Sequence, residues 1–158
     1  MTEGGDPPCW AHEFDETASE APDPLGRTGW RRLVEQLADA VLVADGGGTI
    51  TFWNDAAERL FGWSTAEAVG NSLDLIIPER QRARHWDGYR QTVATGVTRY
   101  GTQLLEVPAL HRDGRPLSIA FTLTLVTDPD NGTVTRLVAV IRDDTARWLE
   151  RRQLRTER

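Results

Sequence analysis

Few side chains in this sequence can bind or react, and His85 is the first of them. It stands in a stretch, Glu79 to Ala94, with helical spacing, where Tyr89 and Val93 follow at i+4 and i+8 on the same face. A neutral imidazole so placed is a metal donor or a hydrogen-bonding group. A lone histidine on an amphipathic helix is more often a surface or half-buried residue. Tyr89, one turn on, lines a pocket, donates a hydrogen bond, or packs in the core with its hydroxyl at the rim. Arg82, Trp86 and Arg90 share the neighbouring face. His12 lies near the N-terminus and His111 beside a hairpin turn, neither well placed to share a pocket with His85. The single cysteine, Cys9, excludes an internal disulfide framework and any cysteine-based metal cluster. No Ser/His/Asp arrangement is evident, and Asp45, Asp55 and Asp74 carry no spacing suited to acid–base work. Gly46-Gly47-Gly48 lacks the lysine and helix of a phosphate loop. The expectation is a protein that is not an enzyme.

The elements that must position His85 are legible in the same way. An apolar run, Ala40 to Ala44, meets the turn Asp45-Gly46-Gly47-Gly48, and a second run follows from Thr49 to Trp53, the pattern of a β-hairpin. Asn54 is placed to cap a helix carrying Ala56, Ala57, Leu60 and Phe61 inward, and Gly62 to end it in the left-handed region. Ser64 with Glu67 has capping-box spacing for a second short helix. Leu73 to Pro78 is a short apolar turn, and Pro78 is read as the first residue of the His85 helix, which ends near Gly96. Three strands are expected next: Arg99 to Leu110, then Leu117 to Leu125 with period-two alternation, then Val134 to Arg142. Apolar residues on both faces of the last mark a central strand. The order implies an α+β domain, a five-stranded antiparallel sheet with helices covering one face, and a ligand position between the two layers.

Around this domain the composition changes. Residues 1–27 are rich in Pro, Gly, Asp and Glu and are expected to be a mobile acidic leader, with Trp10 and Phe14 as a weaker alternative reading, a binding patch. Residues 28–39 are expected to be an amphipathic helix capped by Thr28, with Trp30, Leu33, Val34 and Leu37 on one face. Residues 40–143 form the domain itself, and 144–158 a closing helix with Trp148, Leu149 and Leu154 as an incipient seam. The two terminal helices are the expected dimer contacts. The net charge of −6 announces no nucleic-acid binder. No apolar run has the length of a membrane span, and no secretion signal precedes the domain; a cytoplasmic protein is the default.

Several separated motifs together resemble a PAS domain of the S-box type: Asp45-Gly48-Thr49-Ile50, Asn54-Asp55-Ala56-Ala57, Leu60-Phe61-Gly62-Trp63, Glu67-Ala68-Val69-Gly70, Arg112-Asp113-Gly114 and Arg142-Asp143-Asp144-Thr145. The resemblance covers about residues 33–146. It implies a five-stranded sheet, a pocket under the long helix and a signalling helix after the last strand. Within that family, Pro78-Glu79-Arg80, Arg84-His85-Trp86-Asp87-Gly88-Tyr89 and Ala94-Thr95-Gly96 resemble the oxygen-sensing FixL type, whose long helix carries a histidine bound to haem iron. His85 falls at the matching distance before Ala94. Two departures stand out. Trp86 separates His85 from Asp87, and Leu105 takes the place where the FixL type has an arginine that contacts bound oxygen.

The resemblance therefore implies haem b held by His85, with Leu105, Val107, Ile119, Phe121, Leu123, Leu137, Ala139 and Ile141 as a dry distal wall. In a PAS domain that binds nothing the same residues are ordinary core, and Leu104 competes with Leu105 for the inward position. Arg82, Arg84, Arg90 and Arg99 are candidates for the haem propionates, against the plainer reading of solvated surface charges. Without a distal donor, CO or NO is expected to be retained better than oxygen. The alternatives are a cofactor-free PAS module for dimerisation or partner binding, and a pocket for another small ligand or flavin. A flavin photosensor with a reactive cysteine is disfavoured, because only Cys9 exists.

Overall fold

Asp45 begins the frame. In the computed structural model, which describes residues 23–156, its carboxylate accepts the N–H groups of Gly47 and Thr49 at 2.9 and 3.0 Å. This closes the turn between β1 (Ala40–Asp45) and β2 (Ile50–Trp53). Gly48 completes the turn at φ +83, a left-handed conformation that favours glycine. Asn54 then caps α2 (Asp55–Phe61) by accepting the Ala57 N–H, and Gly62 ends that helix at φ +81. Ser64 and Glu67 form the reciprocal capping box of α3 (Thr65–Ala68). A 3-10 turn, Leu73–Leu75, leads to α4 (Glu79–Thr95). Pro78 stands just ahead of α4 rather than inside it, with ψ 137.

β3 (Leu105–Leu110), β4 (Pro116–Thr127) and β5 (Val134–Asp143) complete one sheet of order β2-β1-β5-β4-β3, every pair antiparallel. β5 is central, as its two apolar faces require. On the inner face Ala40, Leu42, Ala44, Ile50, Leu117, Ile119, Leu137, Ala139 and Ile141 are buried. Ala56, Ala57, Phe61, Ala68, Leu73, Ile76 and Tyr89 cover them from α2, α3, the 3-10 turn and α4. The expected α+β architecture is the one observed.

Two boundaries differ from the sequence expectation. β3 begins at Leu105, not Arg99; residues 96–104 form a loop that touches the sheet through the Leu123 N–H, donated to the Tyr100 carbonyl at 2.8 Å. The segment has Gly101 and no period-two alternation, so it offers no continuous face to bury. The N-terminal helix α1 spans Gly26–Glu35 rather than 28–39, and Thr28 lies within its first turn. Asp23 instead fixes the entry, accepting the Leu25 N–H at 3.2 Å and the Trp30 indole N–H at 2.6 Å. The closing helix α5 (Thr145–Thr156) follows β5 directly. Cys9, Trp10, His12 and Phe14 lie outside the described residues.

Candidate functional site

α4 presents Arg82, Trp86, Tyr89 and Val93 inward, with His85 on the flank of that stripe. Its backbone stands away from the strands, and long side chains bridge the gap. Tyr89 is buried and donates its hydroxyl to the Asp45 carbonyl at 2.5 Å. Burial pushes the phenol well above its ordinary range. Val93 sits beside Gly46. The outer edge of the Trp86 ring abuts Gly48 so closely that a Cβ there would collide with the nearest ring carbons. The Trp86 indole N–H donates to Asp74 Oδ1 at 2.9 Å. Arg82 is held by the Ile77 and Asp74 carbonyls, both at 3.2 Å, and lies 3.6 Å from the Asp74 carboxylate.

His85 joins this group by ring contact, edge-on to Trp86 at 4.8 Å between centroids and tilted over Tyr89 at 5.7 Å. It is half-buried, and its Nδ1 is buried with no hydrogen-bond partner. Burial lowers its pKa, which favours the neutral imidazole, and the Asp74 carboxylate only partly opposes this. A neutral ring with an unsatisfied buried nitrogen is the chemistry a metal donor needs. In this respect His85 fits the iron ligand that the FixL-type pattern implies.

The other expected site residues divide. Leu137, Ala139 and Ile141 are fully in the core, and Val93, Val107 and Leu123 are half-buried against it. Leu105 is half-buried and pairs with Phe121 across the β3–β4 ladder, while Leu104 is 62% exposed, so Leu105 is the inward residue of the two. The half-buried Val107, Phe121, Leu123 and Leu125 show that the β3–β4 side of the inner face is less covered than the β1–β5 side. Arg99 lies in the exposed loop after α4, its guanidinium 5.2 Å from the Tyr100 ring centre and bonded to that hydroxyl, apart from the α4 stripe. Sequence reasoning passed over Gly48 and Asp74, the two residues that seat Trp86. The Trp86 departure from the FixL pattern was the available signal.

Two open hollows border the domain. One, of about 340 Å³, is lined by Trp63, Asn71, Ser72, Asp74, Leu75, Arg82 and Leu110. The other, of about 460 Å³, lies between the start of β1, α2 and the end of β5. Neither includes His85.

The PAS fold family matches residues 28–143. The chain belongs to the PAS family. Among curated relatives, this PAS domain is 34% identical over 110 residues to the sensor protein FixL of Bradyrhizobium diazoefficiens, a match covering 60% of this chain and 22% of FixL. It is 29% identical over 123 residues to the oxygen sensor protein DosP of Escherichia coli, covering 78% of this chain and 15% of DosP. The chain thus spans about a fifth or less of the curated relatives it matches. Among solved structures it is similar to an RNA-binding light-oxygen-voltage receptor, with TM-score 0.71 and 23% identity over 87% of this chain and 38% of that one. A PAS domain from Colwellia psychrerythraea gives TM-score 0.64 and 23% identity, covering 75% and 97%. These structural likenesses establish the fold alone. Among the described residues no helix is long and apolar enough to cross a membrane.

Proposed function

We propose that this PAS domain is a sensory module that binds haem b through His85 and responds to a diatomic gas. The observation that carries the reading is the buried, unpartnered Nδ1 of a half-buried histidine whose neutral form burial favours. The match to two named sensors, one of them an oxygen sensor, supports it. Haem, when bound, supplies an iron position to which a small gas can attach. The chain's own residues would do the rest. His85 holds the iron from α4. Leu105, Val107, Leu123, Leu137, Ala139 and Ile141 offer apolar contacts from the sheet, and Val93 from the helix. Tyr89 is committed to the Asp45 carbonyl, and Leu105 has no donor, so none of these residues offers a free hydrogen bond to bound oxygen. CO and NO should therefore be retained in preference to oxygen. Arg99 would reach a propionate only if its loop turned from Tyr100.

The output in this reading passes through the terminal helices, with a homodimer formed by α1 and α5. Exposed Trp30, Leu33 and Leu37 on and just after α1, and Trp148, Leu149 and Leu154 on α5, are the contact residues. Domain limits of 40–143, with helices on either side, and a cytoplasmic setting belong to the same proposal.

The test is a visible spectrum of the protein reconstituted with hemin. A Soret band present in the wild type and lost in His85→Ala is the expected result; no band in either refutes the haem reading. A second reading, a cofactor-free module, draws on the packing of Trp86 and Tyr89 onto the β1–β2 turn, which already fills the inner face of α4. It expects no Soret band and a dimer that forms with concentration.

A further inference from the structure

Trp86 is the side chain whose position is most fully determined around His85. Its ring meets four partners at once. The outer edge of its six-membered ring abuts Gly48, where any side chain would collide with it. It meets His85 edge-on at 4.8 Å and Tyr89 edge-on at 5.3 Å. Its N–H is bonded to Asp74, on the 3-10 turn below α4. The space between the His85 helix and the β1–β2 turn is thus occupied by an indole, and one hydrogen bond to a carboxylate helps keep it there. Asp74 also lines the open 340 Å³ hollow with Arg82, so there is free volume beside the bond that holds the ring.

The geometry points to Trp86 as the residue that decides what the α4 site admits. A flat ligand reaching His85 from the sheet side displaces the indole from Gly48 and breaks its bond to Asp74. Small molecules that leave the ring in place are admitted without that cost. The assignment rests on the haem reading for the identity of the flat ligand, but the plug itself does not. A tryptophan that merely filled core would lower stability when removed and would leave ligand entry unchanged.

The full-length chain is mixed with hemin chloride and the Soret rise followed by stopped flow for wild type, Asp74→Ala, Trp86→Phe and Trp86→Ala. Releasing the hydrogen bond in Asp74→Ala should speed association by about tenfold, the factor carried by one hydrogen bond of ordinary net strength to a charged group. Trp86→Phe, which loses the N–H and keeps a smaller ring, should behave like Asp74→Ala. Trp86→Ala should associate fastest and bind more tightly than wild type. Equal rates and affinities in all four proteins would overturn the inference while leaving His85 as the iron ligand. If hemin binds none of them, the haem reading fails and free indole decides the plug alone. Millimolar indole should raise the thermal midpoint of Trp86→Ala and also of Asp74→Ala, whose ring is no longer latched, and not that of wild type; no rise, or a rise confined to Trp86→Ala, which marks refilled core, overturns the inference. Asp74→Ala retains the ring and tests the latch even if Trp86→Ala does not fold.

Discussion

Asn54 makes four hydrogen bonds from one side chain with no exposure to solvent. Its Oδ1 accepts the N–H groups of Ala57 and Val41 at 3.0 and 2.8 Å, and its Nδ2 donates to the carbonyls of Val34 and Asp39 at 3.0 and 3.1 Å. One amide therefore caps the start of α2, holds the start of β1, and accepts the load of an otherwise unpaired carbonyl near the end of α1. Asn54→Ala should cost about 3 kcal/mol, a lost cap of about 1 kcal/mol plus buried groups left unsatisfied at roughly 1–3 kcal/mol each; chemical denaturation measures it. Asn54→Asp keeps the acceptor and turns a carboxylate toward two carbonyls, so hydrogen exchange should rise across α1 more than across α2. The cap could be read from the sequence, because an N-cap acts on its own neighbours. The bonds to Val34, Asp39 and Val41 could not, since they depend on how segments 13 to 20 residues away return to it. Gly48 teaches the same lesson. Its turn was legible, but the indole against it comes from 38 positions later. Gly48→Ala should cost about 2 kcal/mol or more, from backbone strain at positive φ and from the displaced ring.

At the scale of elements, α3 shows local chemistry reaching across the fold. The Glu67 carboxylate accepts the Ser64 N–H and hydroxyl, both at 3.0 Å, and the Arg112 guanidinium at 2.7 Å. The backbone bond from Ser64, then its hydroxyl, and Arg112 more weakly, hold its pKa below the ordinary 4.5. A lowered carboxylate pKa stabilises the fold above the ordinary value, and the contribution is lost as pH falls through the folded value. The stability gap between wild type and Glu67→Gln should therefore be widest near neutral pH and close below the ordinary 4.5, as urea titrations at a series of pH values would show. The capping box was visible as Ser64 and Glu67 three residues apart. Arg112 was visible only as part of a turn motif, because its partner lies 45 positions back. Elements with strong periodicity, α4, β4 and β5, were read nearly to their ends. The segment before β3 was overextended, since polar residues around Gly101 carry no pattern to mark where pairing starts.

At the scale of the molecule, five exposed or half-exposed residues on α1 and α5 remain without cover among the described residues: Trp30 and Leu33 on one helix, Trp148, Leu149 and Leu154 on the other. If these helices form the dimer, Leu33→Glu with Trp148→Glu should shift sedimentation from dimer to monomer and move domain stability by only about 0.5 kcal/mol, as exposed substitutions do. Unchanged sedimentation would remove the helices from the interface. The five antiparallel strands, the central place of β5 and the helical cover were legible in the sequence, because each follows from periodicity; His85 as an iron ligand came from the FixL resemblance and is a proposal. The content of the space beneath α4 was not legible, because it depends on which of two adjacent residues, His85 or Trp86, turns toward the β1–β2 hairpin.

The pairing of Ala40 with Ile141 has a mechanical corollary. The way in and the way out of the sheet share one end of one ladder, on neighbouring strands about 5 Å apart. The domain can therefore be spliced into another chain like a bead on a doubled thread, without prising its host apart. A torque arriving on the incoming strand passes to the outgoing one through shared rungs, with no detour around the rest of the sheet.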